Sequence, residues 1–239
     1  MGTRLQPPEI CAPQPIEGSP NATERNEWLV WQLVDSAFPT GGFAHSNGLE
    51  AAWQHGEVRN RAELVSFTEA SLDQLGHASL PFVTAAWTEP QRLPEFDALC
   101  HAFTSNHVAN RASRLQGKAF FNAVRKVFLG ERAAALQDTP WSHMAPMFGA
   151  CLREAGIDRI AAGRMFVFQH LRGTFAAAVR LNIVGPMDAQ VLQNCLSGVA
   201  EAVLARCGSL SLDDLAQTAP LLDLWQGAQD RLYSRLFQS

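Results

Sequence analysis

Apolar residues recur along this chain with the spacing of helices that bury one face, and runs of alternating β-branched residues are missing. Alanine and leucine, both strong helix formers, dominate the periodic segments. Helix one is expected over about 24–34, opened by Asn21 and Glu24 in capping-box spacing. A turn-rich loop follows at 35–45, then a short helix at about 46–55. Asn60 and Glu63 form a second capping box for a helix running to about 76. Pro81 sits near the start of a further helix ending before Pro90, Pro94 begins the next, and a long helix covers about 106–129. Gly130 and Asp138-Thr139-Pro140 interrupt. Helices resume at about 143–155 and 158–184, the second capped by Asp158 and stopped by Gly185-Pro186. Two more are expected at about 187–206 and 211–217, and Pro220 opens the last. The pattern predicts one all-α domain, a bundle of about ten helices over residues 21–239. Residues 1–20 carry five of the 13 prolines and few large apolar side chains, and read as a flexible leader.

The composition agrees with a packed core: 47% of residues are hydrophobic and 18% charged. Nineteen basic residues against 23 acidic give a net charge of -4, which argues against a general nucleic-acid binder. No run of 18 uncharged apolar residues offers a membrane span, and no signal peptide opens the chain. The five cysteines are scattered and odd in number, as expected of reduced thiols in a cytoplasmic protein. The seven histidines show no metal-ligand spacing, HExxH is missing, and so are Walker A and GxGxxG.

Three segments carry unusual chemistry. In the stretch 35–50, Gly41, Gly42, Gly48 and Pro39 fix the backbone path, while Phe38 and Phe43 are placed to pin the loop to the core. Gly41 and Gly42 allow another backbone to approach. Ala44-His45-Ser46-Asn47-Gly48 has the look of a serine nucleophile elbow, but no β-strand precedes it. In the helix from His107, Arg111, Arg114, Lys118 and Arg125 share one face, either a solvated stripe or a contact for carboxylates of a protein partner. Gly117 inside that helix is costly unless another helix packs closely there. Finally, the C-terminal stretch keeps Leu232, Tyr233, Leu236 and Phe237 to within two residues of the end. It is either a helix docked on its own core or a segment that orders on a partner.

Together these segments resemble one family. Leu33 to Glu50 is similar to the signature of the urease accessory protein UreF family. Asn110 to Gly117, with Arg111, Arg114 and Gln116, resembles its central motif; Ala176 to Leu181 a third; Leu232 to Ser239 its tail. Ala228 stands where the family often has histidine, and Asn47 where a bulkier residue is common. The resemblance implies an all-α cytoplasmic homodimer without catalysis of its own. It implies binding to a UreD/UreH-type accessory protein and to the GTPase UreG, acting on urease apoprotein. Nickel would be delivered to that client and not retained, so no cofactor is implied. Tyr233, Arg235, Leu236 and Phe237 would dock on the UreD-type protein. Phe38, Pro39, Gly41, Gly42, Phe43, His45, Ser46, Gly48 and Glu50, with the Arg111/Arg114 helix and Gly117, would shape the partner surface or the nickel route. Two alternatives compete with this adaptor. One is a direct GTPase activator supplying Arg111, Arg114 or Arg235 to phosphoryl transfer. The other is a serine hydrolase using Ser46.

Overall fold

The computed structural model describes residues 22–137 and 139–239, so the leader at 1–20 and the Asn21 cap lie outside the described residues. Its α-helices are α1 (Ala22–Val34), α2 (Leu49–Gln54), α3 (Arg61–Ala78), α4 (Leu80–Thr88), α5 (Leu93–Phe103), α6 (His107–Val124), α7 (Met144–Glu154), α8 (Arg159–Arg180), α9 (Pro186–Cys195), α10 (Ser197–Cys207) and α11 (Pro220–Ala228). No strand occurs among the described residues, so the protein is all-α.

The expected caps form. Asn60 Oδ1 accepts from the N–H groups of Ala62 and Glu63 at 3.0 and 3.1 Å, and Asp158 Oδ1 from that of Ala161 at 2.9 Å. Glu63 returns the bond one residue early, accepting from Arg59 N–H at 2.6 Å. The start of α7 is capped from outside its own chain segment. Asp97 of α5 is buried and accepts from Trp141, Ser142 and His143 N–H at 2.7–2.9 Å, and Ser113 Oγ of α6 accepts from Met144 N–H at 3.1 Å. That arrangement satisfies donors a helix start would otherwise leave bare.

The helices depart from expectation in four places. The long helix over 106–129 is α-helical to Val124 and then widens to a π-turn over Arg125–Leu129. α8 stops at Arg180, because Asn182 takes a left-handed backbone (φ 58°) that asparagine tolerates well. The helix expected over 187–206 breaks at Leu196 into α9 and α10. Most of the helix expected at 211–217 is not formed. Ser211 and Asp214 close a capping box around a single 3-10 turn, Leu212–Asp214, and Leu215 is extended. Gln74 of α3 then takes the N–H groups of Thr218 and Ala219, at 2.6 and 2.9 Å, that a helix would have used internally.

The buried residues form one cluster from Leu33 to Phe237. Its centre is aromatic: Phe120 stacks on Phe148 at 4.9 Å, Phe148 meets Phe166 at 5.3 Å, and Phe38 lies against Phe120 and Phe128. Two glycines set the spacing of α7. A Cβ on Gly149 would meet the Val83 carbonyl carbon of α4 at 2.9 Å, and one on Gly117 of α6 the His143 carbonyl carbon at 2.7 Å. The cost of Gly117 inside α6 is thus offset by close packing, as expected, although the neighbour is the backbone leading into α7. Replacing Gly117 by alanine should lower unfolding stability by about 1–3 kcal/mol, the usual scale of overpacking. Chemical denaturation reads this directly, and an unchanged midpoint would contradict the packing described.

Candidate functional site

Residues 35–48 leave α1 through a tight turn in which Ala37 N–H donates to Asp35 Oδ1 at 2.8 Å. Phe38 is buried on Phe120 and Phe128 and pins this part of the loop. Phe43 does not: it is 75% exposed, on a single 3-10 turn, Gly42–Ala44. Gly41 has a positive φ of 72°, which favours glycine, but a Cβ there would meet nothing within 4 Å. The close approach expected of Gly41 and Gly42 is therefore made by Gly48 instead. At φ 88°, its missing Cβ leaves room for α11, whose Gln226 nitrogen would stand 3.0 Å from it.

The C-terminal tail lies along this loop. Gln238 N–H donates to Ala44 C=O at 2.7 Å, and Ser46 N–H to Ser239 C=O at 2.5 Å, a short two-rung ladder. Ser46 Oγ also donates to Ser239 C=O at 3.0 Å, and His45 Nδ1 shares a 2.7 Å hydrogen bond with Ser239 Oγ. Below them Glu50, only 1% exposed, spends its carboxylate on the tail. One oxygen accepts from Leu236 N–H at 2.6 Å, the other from Phe237 N–H at 3.1 Å and Gln229 Nε2 at 2.5 Å. Arg180, at the end of α8, donates to the carbonyls of Phe43 and Leu236 and lies 4.1 Å over the ring of buried Phe237. Gln54 Nε2 holds Ser234 C=O at 2.8 Å.

A second anchor is Asp230. Arg111 grips it with two hydrogen bonds at 3.0 and 2.8 Å, Arg235 reaches it at 3.1 Å, and His107 at 3.3 Å. The Arg111 hydrogen bond, chiefly, pulls the Asp230 carboxyl below its ordinary range. Arg111 and Arg235 are thus already spent on an internal carboxylate. Arg114 lies 5.3 Å over the exposed ring of Trp141.

The predicted site residues therefore separate by role. His45, Ser46, Gly48, Glu50 and Phe237 are buried and hold loop to tail; Phe38 and Gly117 are buried in the helix packing. Pro39, Phe43, Arg114, Tyr233, Arg235 and Leu236 are exposed. Gln116 is half-buried and, with Thr104, Asn106 and Gln169, lines a cavity of about 600 Å³ between the loop and α3, α6, α8 and α11. The tail is docked on its own chain as an irregular segment, bent at 233–234 and 236–237, after a 3-10 turn (Gln229–Arg231); of the two readings left open it follows the docked one, though not as a helix. Ser46 is not arranged as a nucleophile: its hydroxyl bonds Ser239 C=O and Glu50 N–H, and the neighbouring imidazole bonds Ser239 Oγ.

Sequence reasoning gave no role to Gln229, Asp230 or Ser239, nor to the pair His101 and His143. His101 Nδ1 and His143 Nε2 lie 3.2 Å apart with ring centroids at 5.4 Å, so the nitrogens face head-on. That is an N–H···N hydrogen bond; a chelate would turn both lone pairs toward a common point. Among the described residues no group of three His, Cys, Asp or Glu is placed to hold a metal. No helix among them is long and apolar enough to cross a membrane.

Comparison with known proteins adds a consistent set of relatives. The UreF family profile matches residues 58–197. The chain is 38% identical over 231 residues to urease accessory protein F of Oryza sativa subsp. indica, a match covering 91% of this chain and 88% of that one. It is 39% identical to urease accessory protein F of Arabidopsis thaliana (89% and 92% covered). It is 28% identical to urease accessory protein UreF of Granulibacter bethesdensis (88% and 92% covered).

Two outcomes follow from the site. Glu50→Gln replaces an acceptor oxygen with an amide that cannot serve both tail N–H groups, which costs about 1–3 kcal/mol. Trypsin should then cut after Arg231 and Arg235 much faster than in the wild type; equal rates would contradict the latch. Burial, above all, pushes His45, His143 and His170 each down to about 4. Unfolded, each titrates near 6.5, so between these values the unfolded chain binds more protons. Stability is therefore complete above about pH 6.5 and is lost as pH falls toward 4. Thermal melts at pH 7 and 4.5 should show a clear drop, and a rise would contradict it.

Proposed function

The chain belongs to the UreF family of urease accessory proteins, and on that premise we propose that it is the adaptor that bridges a UreD/UreH-type protein and the GTPase UreG. Its part in urease activation is that of an accessory protein, not an enzyme. The adaptor engages urease apoprotein through these partners, as a homodimer in the cytoplasm. Nickel is cargo: it passes to the client and is not kept by this chain.

The observation that carries this reading is the surface created when the tail docks. Glu50 and Arg180 fix the backbone of residues 236–237 so that Phe237 points inward while Leu236, 58% exposed, and Tyr233 remain outside. Apolar side chains held outward on a pinned backbone lose little conformational entropy on binding, which favours a protein partner. We assign this surface to the UreD-type protein. The tail then has two functions in one segment: inward residues complete the fold, and outward residues meet the partner.

The double variant Tyr233→Asp/Leu236→Asp should melt like the wild type, because both side chains are exposed, yet fail to form a complex with the cognate UreD-type protein. Deletion of 231–239 should also abolish that complex. Size-exclusion chromatography with light scattering measures both, and a complex that survives the double variant would exclude the tail surface.

A further inference from the structure

Residues 107–129 hold five cations, Arg111, Arg114, Lys118, Arg125 and Lys126, and no aspartate or glutamate, in a chain whose net charge is -4. All five are exposed. On a merely solvated helix, cations are usually interleaved with carboxylates three or four residues away. Here Arg111, Arg114 and Lys118 repeat at such intervals with like charge, which works against the helix. Only Arg111 has a carboxylate partner among the described residues, and that partner is Asp230 of the tail. Leu115 and Val127, 51% and 50% exposed, lie among the remaining cations, and Arg114 covers Trp141 at the edge.

We infer that the surface from Arg114 on α6 to Lys126 in the following π-turn docks an acidic, partly apolar protein surface on the same partner that receives the tail. This rests on the tail reading above. Charge complementarity selects the chemistry: four cations without internal carboxylates, spread over about 18 Å of helix, fit a row of Asp or Glu with apolar residues between. Asp230 shows the contact in miniature, since a carboxylate already sits at the first rung of the stripe, gripped by Arg111 and approached by His107. Continuity selects the partner. Asp230, in the 3-10 turn that leads into the tail, pairs with both Arg111 of the stripe and Arg235 of the tail, so the two surfaces adjoin at this carboxylate. Arginine and lysine so placed steer association and set its salt dependence.

The test uses the full chain and its cognate UreD-type protein, titrated at 50 and 300 mM salt. Lys118→Glu/Arg125→Glu/Lys126→Glu should weaken binding at least tenfold at low salt and flatten its salt dependence. The neutral set Lys118→Gln/Arg125→Gln/Lys126→Gln should weaken it less, and carries the test if the reversed chain does not fold. Wild-type affinity and salt response retained in either well-folded set would overturn the inference. So would a loss that is independent of salt, or wild-type binding of duplex DNA through these cations with partner affinity unaffected by the substitutions. If Tyr233→Asp/Leu236→Asp abolishes binding while the charge variants bind normally, only this inference fails. If the tail variant binds as the wild type does, the tail reading fails. No binding by the wild type overturns both.

Discussion

The buried carboxylate of Glu50 is the constraint on which this end of the molecule depends. A carboxylate taken out of water is costly unless hydrogen-bond donors surround it. Glu50 sits in the first turn of a six-residue helix, which offers it too few. Its donors come from some 180 residues later in the sequence: two backbone N–H groups and the amide of Gln229. The requirement is mutual, because tail backbone outside any helix and lying against protein also needs partners for its N–H groups. Loop and tail therefore form one structural unit, and loss of either leaves buried polar atoms bare.

Other features of the site follow from that junction. Gly48 has to be glycine-like in φ and in bulk, so that α2 starts against α11 and Glu50 points at the tail. Arg180 closes the far side by bonding a carbonyl from each segment of the junction and covering Phe237. Asp230 binds the 3-10 turn before the tail to α6 through Arg111. The tail is held at both ends; residues 233–236 are exposed while Phe237 and Ser239 are buried, so one short segment serves core and surface together. A docking surface built this way keeps a fixed outline.

Much of the fold was legible in the sequence, because helices are announced locally. Asn60 and Asp158 act as caps within three residues, and prolines mark the starts of α4, α5 and α11. The misses came where distant groups compete with local signals. Ser211 and Asp214 have capping spacing, but Gln74 captures the backbone that would have extended the helix. The site was half legible. Unusual glycines and an apolar terminus located the two segments. Nothing in the sequence near Glu50 says that its partners lie at 229, 236 and 237, and Phe38 and Phe43 look alike locally although one is buried and one exposed. Long-range pairing of that kind has no periodic signature.

The most direct measurement is hydrogen exchange at the amides of Leu236 and Phe237 in the intact chain alone, at neutral pH. Docking through Glu50 predicts strong protection at both, comparable with the interior of α8 and far above that of exposed Tyr233. Exchange at the rate of an unstructured peptide would contradict it: the tail would then be undocked in the free protein, and Glu50 would not be its anchor.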